Sequence, residues 1–368
     1  MPPATPRTSS ARPLLKVGAA VAGIAVLAGL AVVASGYDAQ EVPRLETSVW
    51  VTKADGQYAR VNTELAELDT VRSVQDPTSV VQAGANSLVF SRGFSQLWTI
   101  DSANAVDLSE GAVAADGSGA PATSSSTPAG TRSVASAGRY VLYLTDTGGI
   151  YLSVLDGSSG VSAAIPLNPF ANVVVEEGQD PPTYSASAVA VSDDGTVVLY
   201  SSAESAIRRF DAERLQFVGG ASPVASPPQA ESQLELAVVG QKWILSAAAE
   251  GLAWVEGVAA PVETGAGADA RLQSSSSTGS SAYLADSEGL YGVDLGSGAA
   301  TVVATATGIP AAPVALDGTV YAAWLTAGSG TLWSSATGQT TTLETESDVL
   351  ADERAIVPVF RSNGQRAV

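Results

Sequence analysis

The chain has no cysteine, no histidine and a single methionine. Without cysteine, disulfides, iron–sulfur clusters and a lipidated N-terminal cysteine are excluded. Zinc sites draw mainly on cysteine and histidine, so no metal site of that kind is expected. Serine–histidine and cysteine–histidine catalysis each lack a required partner. No Walker or Rossmann phosphate loop is present, because Gly117-Ser118-Gly119-Ala120 has neither the spacing nor a helical pattern after it. Basic residues are scarce, 18 against 37 acidic ones, for a formal charge of −19. That surplus repels phosphates, so no nucleic-acid partner is expected. It suits a solvent-facing protein kept soluble by self-repulsion, and an acidic host composition gives the same balance.

What the chain does have is a motif that recurs from residue 58 to 336, once per roughly 40 to 55 residues. It is an apolar residue, often an aromatic, a spacer, another apolar residue, and a carboxylate or amide. The copies begin Tyr58-Ala59-Arg60-Val61-Asn62 and Leu97-Trp98-Thr99-Ile100-Asp101, then a longer one from Ile150 to Asp156. They continue as Ile207-Arg208-Arg209-Phe210-Asp211, Leu252-Ala253-Trp254-Val255-Glu256, Leu290-Tyr291-Gly292-Val293-Asp294 and Leu332-Trp333-Ser334-Ser335-Ala336. An apolar run and a Gly- or Asp-bearing turn precede the copies at 58, 150, 252, 290 and 332, in the order of the best-formed unit. That unit runs Ala188-Val189-Ala190-Val191, Ser192-Asp193-Asp194-Gly195, then Thr196 to Tyr200, the motif strand and a polar strand near Gln216-Phe217-Val218. Four short antiparallel strands per unit, most apolar on the inside, describe a blade of a β-propeller. The expected fold is all-β, a seven-bladed propeller over residues 48–368, or eight-bladed if the last unit counts. A β-sandwich with irregular hairpins is the competing reading.

That last unit, from Ala355 to Val368, resembles the first one around Asp55-Gly56-Gln57 and stops within a motif strand. Either the final strands close the ring against the first blade, or the chain is part of a longer protein; the second is favoured.

Residues 1–16 carry Arg7, Arg12 and Lys16 and no acid, and residues 17–34 are then free of charge. Eighteen helical residues span about 27 Å, close to a bilayer core of about 30 Å. The expected domains are a cytoplasmic basic segment (1–16), one transmembrane helix (17–35), a linker (36–47) and the extracytoplasmic propeller. A cleaved signal peptide ending near Val33-Ala34-Ser35 is the alternative, and both readings export the ring.

Three stretches break the blade pattern, at 111–132, 173–187 and 219–231, and each is expected between an outer strand and the next inner one. A further polar run, 274–281, is expected as a flexible loop. Glu176, Glu177 and Asp180 in the second stretch are weighed as oxygen ligands for calcium, without a matching spacing. The repeated Asp101, Asp156, Asp211 and Asp294 are expected to accept hydrogen bonds from turn amides, and a paired-carboxylate glycosidase is the lesser alternative. Trp50, Trp98, Trp243, Trp254, Trp324 and Trp333 are expected between blades, with sugar stacking by an exposed ring as the alternative. No catalytic, cofactor-binding or metal residue is assigned, no cofactor is expected, and the chain is not expected to be an enzyme.

The basic start, one Ala/Gly/Val-rich span, Ser-Val-Trp-Val-Thr-Lys-Ala-Asp-Gly at 48–56, Tyr-Ala-Arg-Val-Asn-Thr-Glu-Leu at 58–65 and the repeats together carry a resemblance. The chain resembles the N-terminal part of large actinobacterial cell-surface proteins that carry Ig-like or fibronectin type III repeats downstream. The resemblance implies an envelope-anchored binding or scaffolding role, with the membrane and a protein or cell-wall polysaccharide as partners. An exported polysaccharide-binding or polysaccharide-degrading protein is the alternative.

Overall fold

Runs such as Tyr140 to Thr145 and Thr196 to Ser201 are rich in Val, Leu and Tyr and end in Asp, Ser, Thr or Gly, the composition of buried strands bounded by tight turns. The computed structural model describes residues 48–344 and 358–368, except 54, 66, 85, 115–116, 118–120, 157–159, 172, 175–178, 180–181, 327–328 and 363–365. The expected transmembrane segment at 17–35, with 1–16 and 36–47, lies outside the described residues. Among those described, no helix is long and apolar enough to cross a membrane.

The strands make seven antiparallel sheets in chain order, a seven-bladed β-propeller. Blade 1 holds β1 (Ser48–Lys53), β2 (Gln57–Asn62) and β3 (Glu67–Ser73). Blade 2 holds β4 (Pro77–Ala83), β5 (Asn86–Ser91), β6 (Gln96–Ile100) and β7 (Ser124–Ser126). Blade 3 holds β8 (Thr131–Ala137), β9 (Tyr140–Thr145), β10 (Ile150–Asp156) and β11 (Gly160–Val161), with β12 (Ile165–Pro166) also on β10. Blade 4 holds β13 (Ala188–Val191), β14 (Thr196–Ser201), β15 (Ala206–Asp211) and β16 (Gln216–Pro223). Blade 5 holds β17 (Glu235–Val239), β18 (Lys242–Ala247), β19 (Leu252–Val255) and β20 (Val262–Glu263). Blade 6 holds β21 (Arg271–Leu272), β22 (Ser281–Ala285), β23 (Gly289–Asp294) and β24 (Ala300–Thr305). Blade 7 holds β25 (Ile309–Pro310), β27 (Thr319–Thr326), β28 (Ser329–Ser334) and β29 (Gln339–Glu344), with β26 (Val314–Leu316) beside β27.

Every motif copy falls on the strand next to the outermost one, and the apolar run before it is the buried strand inside that. Val197, Val198, Leu199 and Tyr200 of β14 are all fully buried, because both faces of the strand pack on neighbouring blades. The outermost strands β3, β16 and β24 are exposed or half-buried along their whole length. Among the described residues, six hydrophobic clusters span the seams from blade 1–2 through blade 6–7, so the core lies between the blades.

Two expected loop positions are corrected. Residues 111–132 do not lie between blades 2 and 3: β7 forms inside that stretch, pairing Gln96 with Ser126 and Trp98 with Ser124. The insertion therefore separates the third and fourth strands of blade 2. Ser-Ser-Ser carries no apolar signal, because that strand meets solvent on its outer edge. Likewise, Gly219 to Pro223 belongs to β16, so the connection after blade 4 starts at Val224. At the chain's end the described residues form no eighth sheet. Ser362 bridges Ala367, and Arg361 and Val368 exchange backbone hydrogen bonds at 2.8 and 2.9 Å.

Candidate functional site

The end of the motif strand is the position that repeats most faithfully, and its carboxylates turn inward on their own loops. Asp101 Oδ1 accepts from the N–H groups of Ala103 and Asn104 at 2.9 and 3.3 Å. Asp211 Oδ1 accepts from Glu213 and Arg214, both at 2.9 Å, while Oδ2 takes the Arg214 guanidinium at 2.6 Å. Asp294 Oδ1 accepts from Gly296 N–H at 3.1 Å and from Ser297 N–H and hydroxyl at 2.7 Å each. Asn62 does the same in blade 1, accepting from Glu64 and Leu65 at 3.0 and 3.3 Å. These are Asx turns, in which a short side chain replaces a backbone acceptor two or three residues on. The side chain of Asp156 lies outside the described residues. Hydrogen bonds, first from the Arg214 N–H, hold the Asp211 carboxyl below its ordinary pKa, and those from Ser297 do so for Asp294. Glu256 departs from the pattern: it binds the Arg209 guanidinium of the preceding blade and accepts from Trp243 N–H at 3.3 Å.

The six tryptophans are all buried, at most 7% exposed, so none presents a ring face for sugar stacking. Trp324 Nε1 donates to Asp286 O at 2.7 Å and Trp254 Nε1 to Ser226 O at 2.9 Å, which ties one ring to a turn of blade 6 and the other to the connection after blade 4. Glu176, Glu177 and Asp180 lie outside the described residues. The base of their connection is held by an arrangement that sequence reading missed. Arg208 sits 5.1 and 5.6 Å from the ring centroids of Phe170 and Tyr184, and Glu204 grips its guanidinium at 2.9 and 3.0 Å. Among the described residues there is no group of three or more carboxylates able to hold a metal ion.

The inner strands β8, β13, β17 and β21 touch one another in turn, which places them around the propeller axis. At one mouth of that axis lies the serine-rich segment expected as a flexible loop. It is a strap along the inner edge of β17. Ser276 pairs in parallel with Val239, its N–H donating to Val238 O at 2.8 Å and its carbonyl accepting from Gly240 N–H at 2.9 Å. Ser275 Oγ accepts from Val238 N–H at 3.1 Å. Beyond blade 5, Ser277 N–H reaches Asp193 Oδ1 in the first turn of blade 4 at 3.1 Å, and Ser274 N–H reaches Pro313 O in blade 7 at 2.9 Å. Nothing in the serine pattern signals this, because every partner is distant in sequence.

No family model matches the chain, and no curated protein matches it significantly. Solved structures similar to it are propellers. BamB from Moraxella catarrhalis is 14% identical over 83% of this chain and 88% of that one, with a TM-score of 0.45. The Cps50 (Swd1) β-propeller domain from Myceliophteria thermophila is 11% identical over 83% and 95%, with a TM-score of 0.47. Hsv2 from Kluyveromyces lactis is 10% identical over 83% and 96%, with a TM-score of 0.48. The seven-bladed architecture rests on the sheet order and not on these likenesses.

Proposed function

We propose that the chain is a non-catalytic interaction scaffold at the cell envelope, a propeller anchored in the membrane by residues 17–35 with its N-terminus inside and its ring outside. The observation that carries the non-catalytic part is the fate of the repeated carboxylates: at Asp101, Asp211 and Asp294 the acceptor oxygen is engaged by the residue's own turn. They support the fold blade by blade, where a glycosidase needs two carboxylates facing one substrate. The anchored part is supported by the asymmetry of Arg7, Arg12 and Lys16 before an uncharged span and Asp38 and Glu41 after it. The partner class is the one the family resemblance implies, a protein or a cell-wall polysaccharide. The test is topological. An alkaline phosphatase fused after Gly56 is expected to be active and one fused within residues 1–16 silent; the reverse pattern overturns the proposal.

A further inference from the structure

The strap along β17 has properties that a permanent part of the core lacks. From Ser274 to Ser280 no side chain is apolar and none is fully buried. Ser280 O is fixed in blade 6 by Leu295 N–H at 2.9 Å, and what holds the segment before it is a short ladder of hydrogen bonds to blades 4, 5 and 7, each replaceable by water at small net cost. What it covers is different: Val239, 1% exposed, belongs to the blade 5–6 core, and a Cβ on Gly279 would come within 3.0 Å of its Cγ1. Fit is tight on the other side as well, since a Cβ on Gly240 would lie 2.4 Å from Gly279 O. A weakly held polar cover thus lies on a well-packed apolar strand, with one charged side chain at its far end.

We propose that residues 274–279 form a displaceable lid over one mouth of the propeller axis, latched by Asp193. The lid goes beyond the scaffold reading and does not depend on the compartment in which the ring sits. Opening it breaks the Ser277 to Asp193 contact, frees Val238 and Gly240 from the strap and uncovers the end of β17. Asp193 acts as a positioning residue, because it holds the strap from a neighbouring blade and does not itself cover the strand.

The absence of native cysteine makes the test direct. In the full chain carrying Val239→Cys, the rate of thiol labelling by an aromatic disulfide reagent is measured with and without Asp193→Ala. Glu213→Ala serves as the control, since that exposed acid sits in another turn of blade 4 and pairs only loosely with Arg139 at 4.0 Å. Labelling is expected to rise at least tenfold with Asp193→Ala and to stay unchanged with Glu213→Ala. Equal rates in all three chains, or an equal rise in both variants, overturn the lid. If Val239→Cys fails to fold, amide exchange in the cysteine-free Asp193→Ala chain decides. Faster exchange at Ser276 and Gly240, whose partners are backbone carbonyls, supports one opening unit, and unchanged exchange at both overturns it.

Discussion

In blade 4 the buried strand β14 has a backbone partner on each side, Ala190 against Val198 in β13 and Arg209 against Val198 in β15. In blade 1 the equivalent strand β1 pairs, among the described residues, with β2. The turn at the end of each strand makes the two equivalent. Val74 N–H donates to Gly56 O after blade 1 just as Val224 N–H donates to Ser205 O after blade 4. Where blade 4 has β13, blade 1 has a side chain from its neighbour: Trp50 N–H donates to Gln82 Oε1 at 3.0 Å, and Gln82 Nε2 donates to Ser48 O at 3.0 Å. An amide side chain thereby meets the inner edge of β1 with one acceptor and one donor. The two blades also differ in flanking core. Blade 4 lies between the blade 3–4 and blade 4–5 clusters, while Trp50 and Tyr58 of blade 1 join only the blade 1–2 cluster among the described residues. A buried backbone group needs a partner, and at Ser48 and Trp50 a side chain of blade 2 supplies one.

The largest effects are expected in blade 4. Val198→Asp places a carboxylate where no solvent reaches, and is expected to cost on the order of 4 kcal/mol or more, read as a shifted urea midpoint or failure to fold. Gly195→Val comes next. Its φ is +83°, and a Cβ there would lie 2.9 Å from Cζ and Oη of Tyr140, itself buried in the blade 3–4 core. Backbone strain with that clash is expected to cost about 2–3 kcal/mol in the same melts. If both variants melted like the parent, the blade boundaries around β13 and β14 would be wrong.

Blade 1 offers a smaller and more local break. Gln82→Ala removes the acceptor of Trp50 N–H from a strand whose first residues are buried, and is expected to cost about 1–3 kcal/mol. Amide exchange at Trp50 should accelerate more than exchange at Val198, because the loss is confined to one seam. Uniform acceleration through blade 4 would show instead that the ring opens as a whole, and the contrast between the two blades would fail.

The same contrast explains what could be read in advance. The buried strands and the motif strands were legible, because burial on two faces demands apolar runs such as Tyr140 to Thr145, and the Asx turns demand Asp or Asn at one place. The placement of Gly195 in a positive-φ turn came from Asp-Gly alone. Strands such as β21 (Arg271–Leu272), β25 (Ile309–Pro310) and β7 (Ser124–Ser126) were not legible. They are two or three residues long, and the neighbouring strand, not their own side chains, sets their pairing. Gln82 as a partner of β1, the Phe170–Arg208–Tyr184 stack and the strap on β17 escaped for the same reason. The Ser277 to Asp193 bond joins residues 84 apart, a distance across which one sequence carries no pattern.

The smallest expected effect separates turn geometry from charge within blade 4. Asp211→Ala removes an acceptor for two turn amides and an ion pair with Arg214, whereas Asp211→Asn keeps the turn acceptor and removes the charge with its ion pair. Asn62 already performs the turn task in blade 1, so the amide is expected to keep most of the stability and the alanine to lose a measurable part of the urea midpoint. The pH dependence comes from the depressed carboxyl. With a folded pKa below the ordinary carboxylate value of about 3.9, the charge stabilises the native state above that value, and the contribution fades as pH falls through the folded pKa. The gap between parent and Asp211→Asn should therefore be present at neutral pH and narrow below about pH 4, while the alanine deficit at neutral pH exceeds it. If the asparagine chain were as unstable as the alanine chain at neutral pH, Asp211 would hold its turn through Arg214, and its likeness to Asn62 would be accidental.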